Sequence, residues 1–170
     1  MVRMQSKMGS WLSLVWAHTA RRYFRNLFER RSTLSLAIEK LQAGLQKAMS
    51  NRPKVGGFPY LAECLRQAGA QRNIWVLPAA QATYVLDDGI VVEQGTPLIN
   101  GVADVPGFDR DRLIAALRTD QAGNSTFPEF LQASWQAGVV RYDVDFSRRT
   151  VTYYGAHDEH YEEAYPEVAA

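Results

Sequence analysis

The sequence predicts an α+β fold built from two tandem helix–helix–β-meander repeats that share one core and an antiparallel sheet. Three observations carry this. Residues 58–84 match residues 127–153 at an ungapped offset of 69, with eight identities in 27 positions. These are Phe58/Phe127, Pro59/Pro128, Gln67/Gln136, Ala68/Ala137, Gly69/Gly138, Arg72/Arg141, Thr83/Thr152 and Tyr84/Tyr153. Both copies carry the same helix punctuation, and in both the apolar period then changes from helical to alternating.

The elements follow in order. Leu34, Ala37, Ile38, Leu41 and Leu45 seed the first helix at helical spacing. The loop from Asn51 to Gly57 leads to a second helix that opens with Phe58-Pro59, since proline is tolerated in a first turn. That helix stops at Gln67-Ala68-Gly69, where glycine suits the left-handed C-terminal position. Strands are expected at Asn73–Leu77, Ala82–Leu86 and Ile90–Glu93, with turns near Pro78 and at Asp87-Asp88-Gly89. Gly95 to Phe108 reads as a Gly/Pro-containing linker. In the second copy Asp109 favours a helix start, and Leu113, Ile114 and Leu117 seed the helix. Thr126 and Glu129 have capping-box spacing before Phe127-Pro128, and Gly138 ends that helix. Tyr142, Val144 and Phe146 then alternate with Arg141, Asp143 and Asp145. Ser147-Arg148-Arg149 is the turn, Thr150 to Tyr154 the return strand, and His160 to Ala164 a third short strand. Small meanders are marginal alone. The two units are therefore expected to share a core, as one continuous sheet or as sheets packed under the helices.

This gives a leader at 1–31 and one duplicated domain at 32–168. Repeat 1 covers about 34–94, the linker 95–108 and repeat 2 about 109–166. At 170 residues, with 46% hydrophobic and 22% charged residues, the composition is that of a globular chain. Net charge is +1, but residues 1–33 hold seven basic groups and one acid, leaving twelve basic and seventeen acidic groups on the body. A basic nucleic-acid-binding body is excluded on that balance. Trp11, Leu12, Val15, Trp16, Tyr23, Phe24, Leu27 and Phe28 interleave with arginines. The leader reads as an upstream extension, as a helix for a partner or an anionic membrane surface through residues 11–31, or as a secretory segment. Its uncharged apolar run, Trp11 to Ala17, falls well short of the roughly 20 residues a membrane span needs. A lone Cys64 excludes an intrachain disulfide and favours a cytoplasmic protein.

The stretches VGGFPYLAECLRQAG, GTPLINGVADVPGFDRDRLIAALR and FPEFLQASWQAGVVRYDVDFSRRTVTYYGA resemble a bacterial and prophage family of unknown function, number thirteen ninety-eight. Its members are sometimes labelled "phage envelope protein". The similarity covers about residues 34–168, and its most specific part is the AGV-x-x-Y-x-V-D strand followed by R-T-V-T-Y-Y. The resemblance implies a small soluble protein. It implies no activity, because the family has no catalytic residues to carry over.

Candidate chemistry is sparse. Arg72 and Arg141 each stand three residues past a helix-ending glycine. They read as anion clamps or as structural arginines holding a neighbouring carboxylate. Arg72 has no acid in its own strand, which makes it the better ligand candidate. Tyr84 and Tyr153 could stack on a ligand or fill a half-buried sheet face. The loop with Arg52, Lys54, Gly56 and Gly57 precedes a helix start and could hold an anion. It lacks the GxxxxGK[ST] pattern of a nucleotide hydrolase. His157-Asp158-Glu159-His160 reads as a solvated turn rather than a metal site, and Cys64, opposite Ala133 in the other copy, as a buried small side chain. No catalytic residue, metal or cofactor is assigned. The expected function is a non-enzymatic binding or interaction module for a protein or a small anionic ligand. The alternative is a small enzyme or binding protein for an anionic metabolite, held by Arg52, Lys54 and Arg72.

Overall fold

The computed structural model describes residues 36–51 and 53–170. The readings made for residues 1–31, the helix seed Leu34 and the candidate Arg52 lie outside the described residues. Helix α1 covers 36–51 and is followed by α2 (Gly57–Gln67), β1 (Ala70–Val76), β2 (Gln81–Leu86) and β3 (Gly89–Gln94). Then come α3 (Arg110–Gln121), α4 (Phe127–Gln136), β4 (Arg141–Asp145), β5 (Thr150–Tyr154) and β6 (His160–Ala164). The strands form one antiparallel sheet in the order β3-β2-β1-β4-β5-β6. The α+β class is therefore as expected, and of the two sheet arrangements it is the continuous one.

The two meanders join along β1 and β4. Ile74 faces Asp143 across this seam, and those two residues are themselves 69 apart. The β1–β2 and β4–β5 pairings also share one register at that offset: Arg72 faces Val85, and Arg141 faces Tyr154. The left-handed turn residues match as well, Ala80 at φ 46° and Arg149 at φ 55°. The third strands differ by one residue, so that Glu93, opposite Ala82, takes the place that Glu163 takes opposite Val151.

Local chemistry explains the helix ends. Asp109 caps α3 by accepting the Arg112 N–H at 3.0 Å. The Glu129 carboxylate accepts from the Thr126 N–H and hydroxyl, both at 2.7 Å, at the start of α4. Gly69 (φ 91°) and Gly138 (φ 81°) end α2 and α4 in the conformation that L side chains rarely adopt. Gly44 lets α1 approach α2: a Cβ there would meet the Ala68 Cβ at 2.9 Å. The buried side of α1 is Ala37, Leu41, Gly44 and Ala48, while Ile38 is 42% exposed, so the expected stripe is rotated.

One sheet face packs under the helices. Tyr84, Leu86, Tyr142, Val144, Phe146, Val151 and Tyr153 join Leu41, Leu65, Leu113, Leu117, Phe130 and Trp135 in one core. The segment read as a linker belongs to this core too. Leu98, Ile99 and Phe108 pack against it, and the Asp109 N–H donates to the Ala137 carbonyl at 2.8 Å. The opposite sheet face carries no helix among the described residues, and Ile90 and Val92 are exposed there. No described helix is long and apolar enough to cross a membrane.

Candidate functional site

Period-two alternation sends every second side chain of the sheet toward the helices. Pairing then aligns these side chains in two rows. The first runs Glu93, Ala82, Trp75, Tyr142, Tyr153, Tyr161 across β3-β2-β1-β4-β5-β6. The second runs the other way: Glu163, Val151, Val144, Asn73, Tyr84, Val91. The aromatic members touch. Trp75 stacks on Tyr142 at 6.2 Å between centroids, Tyr142 meets Tyr153 at 5.6 Å, and Phe127 of α4 meets the Trp75 edge at 5.1 Å.

The helices do not fill the space above these rows. A cavity of about 790 Å³ lies between the layers. Its floor is Asn73, Trp75, Tyr84, Tyr142, Val144 and Tyr153, and Leu45, Leu61, Leu65, Leu117 and Phe130 close it from above. Met49, Val55 and Phe127 also line it and are 72%, 65% and 41% exposed, so they mark its mouth. Tyr142 and Tyr153 are each 6% exposed, and neither hydroxyl has a hydrogen-bond partner among the described residues. Neither hydroxyl is sealed in: the buried polar atoms lacking a partner are Ser134 Oγ and Asp143 Oδ1. Both tyrosines line the cavity.

Its electrostatics are those of a mostly apolar, weakly acidic pocket. Burial pushes the Tyr84 phenol up, and the charge of nearby Glu93 adds to the shift. Burial and then the Glu163 charge do the same at Tyr153, and burial dominates at Tyr142. All three phenols stay protonated through neutral pH and can donate. At one end Arg118 of α3 pairs with Glu163 at 2.8 Å, and Gln121 and the Tyr161 hydroxyl also donate to Glu163.

The residues singled out from the sequence fall into three places. Tyr84 and Tyr153 come together as cavity floor. Lys54, Gly56 and Gly57 line a second cleft of about 630 Å³ between the α1–α2 and α3–α4 loops, with Gly123 to Thr126 opposite. Those loops are in contact, because a Cβ on Gly123 would come within 2.7 Å of the Lys54 carbonyl. Gly56 (φ 69°) precedes α2 here and also lines the larger cavity. Arg72 and Arg141 lie on the other sheet face, apart from Lys54. Arg72 donates to Asp143 at 2.9 Å, and Arg141 approaches the same carboxylate at 3.8 Å while covering the Tyr154 ring at 4.0 Å. Asp143 is 6% exposed, not the solvated position its alternation suggests. Cys64 is buried, and the 157–159 turn is exposed apart from a half-buried Glu159. Among the described residues, no group of three or more His, Cys, Asp and Glu could hold a metal ion.

Sequence reasoning missed Asn73, Trp75, Glu93, Arg118 and Tyr142 as cavity residues. The signal was present in the alternation of β1 and β4. What made it a site was the unfilled volume above them.

Comparison with known proteins gives one family. Residues 46–163 match the model of a protein family of unknown function, DUF1398. An uncharacterized protein of Mycobacterium tuberculosis is 55% identical over 135 residues, covering 79% of this chain and 82% of the relative. An uncharacterized protein of Mycobacterium bovis is similar to the same extent.

Proposed function

The chain belongs to the DUF1398 family, and on that premise we propose that it is a non-enzymatic binding module whose ligand seat is the cavity between sheet and helices. The observation that carries this is a cavity of about 790 Å³, mostly apolar, lined by Tyr142 and Tyr153, whose hydroxyls have no hydrogen-bond partner among the described residues. Ligand sites have this make-up: an apolar enclosure, a few convergent polar groups and a volume of about 300–1,000 Å³. The exposed apolar mouth at Met49, Val55 and Phe127 supports entry from solvent.

The matching strand registers support the reading of residues 32–168 as one duplicated domain. A single buried cysteine fits the cytoplasm. The anionic-ligand reading keeps one observation in its favour. Lys54 and the N-terminus of α2 share the loop cleft, although Arg72 is committed to Asp143 on the far face.

The test is titration of the full chain with a fluorescent naphthalene-type apolar probe. Saturable binding to one site is expected, abolished by Leu45→Trp, which fills the cavity from α1. Binding unaffected by Leu45→Trp, or no saturable binding, refutes the reading.

A further inference from the structure

The two ends of the cavity correspond in strand register but differ in burial and in partners: the Glu163 side chain is 19% exposed, whereas Glu93 is exposed. Glu163 on β6 and Glu93 on β3 hold matching places in the strand register, opposite Val151 and Ala82, and each lies beside a floor tyrosine, Tyr153 or Tyr84. Both line the cavity. Glu163 is neutralised by Arg118 of α3 at 2.8 Å. The residue 69 positions earlier, in α1, is Met49. It also lines the cavity, and it carries no charge. Among the described residues no lysine or arginine forms an ion pair with Glu93.

We propose that the cavity takes a protonated amine carried on an aromatic ring, the ammonium at Glu93 and the ring against Trp75 and Tyr142. This rests on the reading of the cavity as the ligand seat. The ligand's cation supplies at the first end what Arg118 supplies at the second. The rest of the row fits such a molecule. Glu93, Ala82 and Trp75 are successive members of it, so the carboxylate strand and the tryptophan strand lie about 10 Å apart at the backbone. The side chains close part of that distance, leaving room for a two- or three-carbon link between ring and nitrogen. Trp75, Tyr142 and Phe127 offer flat faces and edges to the ring. Glu93 is exposed at the rim of the cavity, so an ammonium placed there gains a solvent-screened ion pair that a neutral ligand does not, and an anionic ligand meets repulsion.

The experiment is calorimetric titration of the full chain at pH 7 with three probes of one shape: tryptamine, uncharged 3-ethylindole and anionic indole-3-propionate. Tryptamine is expected to bind at least about fivefold tighter than 3-ethylindole, and indole-3-propionate weakest, as an ion pair at a partly open rim allows. Glu93→Gln should erase that preference, bringing the tryptamine and 3-ethylindole affinities together. Met49→Arg, which places the second half's cation in the first, should do the same. If 3-ethylindole binds as well as tryptamine, or if Glu93→Gln keeps the preference, the amine assignment falls and the cavity reading stands. If indole-3-propionate binds tightest, the assignment falls in favour of a cationic subsite. If no probe binds, both readings fall.

Discussion

Alanine at Gly138 and at Gly69 should cost very different amounts, although both glycines end the same Gln-Ala-Gly motif. Both have positive φ, 81° and 91°. Forcing an L residue there costs about 1–2 kcal/mol. Alanine also narrows the unfolded ensemble, which offsets about 0.4–1 kcal/mol in both variants. The difference lies in what the new methyl meets. At Gly69 it meets the Asp87 carboxylate at 3.2 Å, the end of a side chain that can turn away. At Gly138 it would overlap the Gly107 backbone and come within 2.6 Å of the Phe108 Cα. That strand of backbone is held in place: Asp109 donates to Ala137, and Phe108 packs on the core. Overpacking against fixed atoms adds about 1–3 kcal/mol. Gly69→Ala should therefore lose about 1 kcal/mol and Gly138→Ala about 2–4 kcal/mol. Urea unfolding followed by circular dichroism measures both. Equal losses, or a larger loss at Gly69, would refute the claim that residues 95–108 are a packed part of the fold.

Three further outcomes are expected. Burial pushes the Tyr165 hydroxyl up to about 12. The unfolded chain ionises near pH 10 while the folded one keeps its proton, so stability should be full below pH 10 and fall between pH 10 and 12. Thermal midpoints at pH 9 to 12 should fall less steeply in Tyr165→Phe, and parallel slopes would contradict this. Arg72→Met leaves the buried Asp143 carboxylate with only the distant Arg141. Because the Arg72 side chain is 53% exposed, solvent screening limits the loss to about 1–2 kcal/mol. Asp143→Asn in the same chain should recover part of it, and additive losses in the double-mutant cycle would show that the pair is not coupled. Ala80→Gly should stabilise by a few tenths to about 1 kcal/mol, since Ala80 sits at φ 46° where glycine is unstrained. A loss of stability on urea unfolding would mean that its methyl packs more than its backbone strains.

The sequence alone determined the α+β class, the helix ends and the strand positions. The Phe-Pro starts, the Thr126/Glu129 cap and the glycines of Gln-Ala-Gly act within a few residues of themselves, so they are readable without a fold. Strand β6 falls at His160–Ala164 as expected, and Tyr84 and Tyr153 stood out because the offset retains both. Tertiary structure decided what these pieces face. Only the β1–β4 pairing brings Arg72 to Asp143, 71 residues away, and turns a candidate anion clamp into half of an ion pair. Only the third-strand registers set Glu93 opposite Glu163 in role, since their sequence offset is 70 rather than 69. The cavity is the least legible feature. It is the difference between the volume the helices enclose and the volume their side chains fill, and no segment of the chain carries that difference by itself.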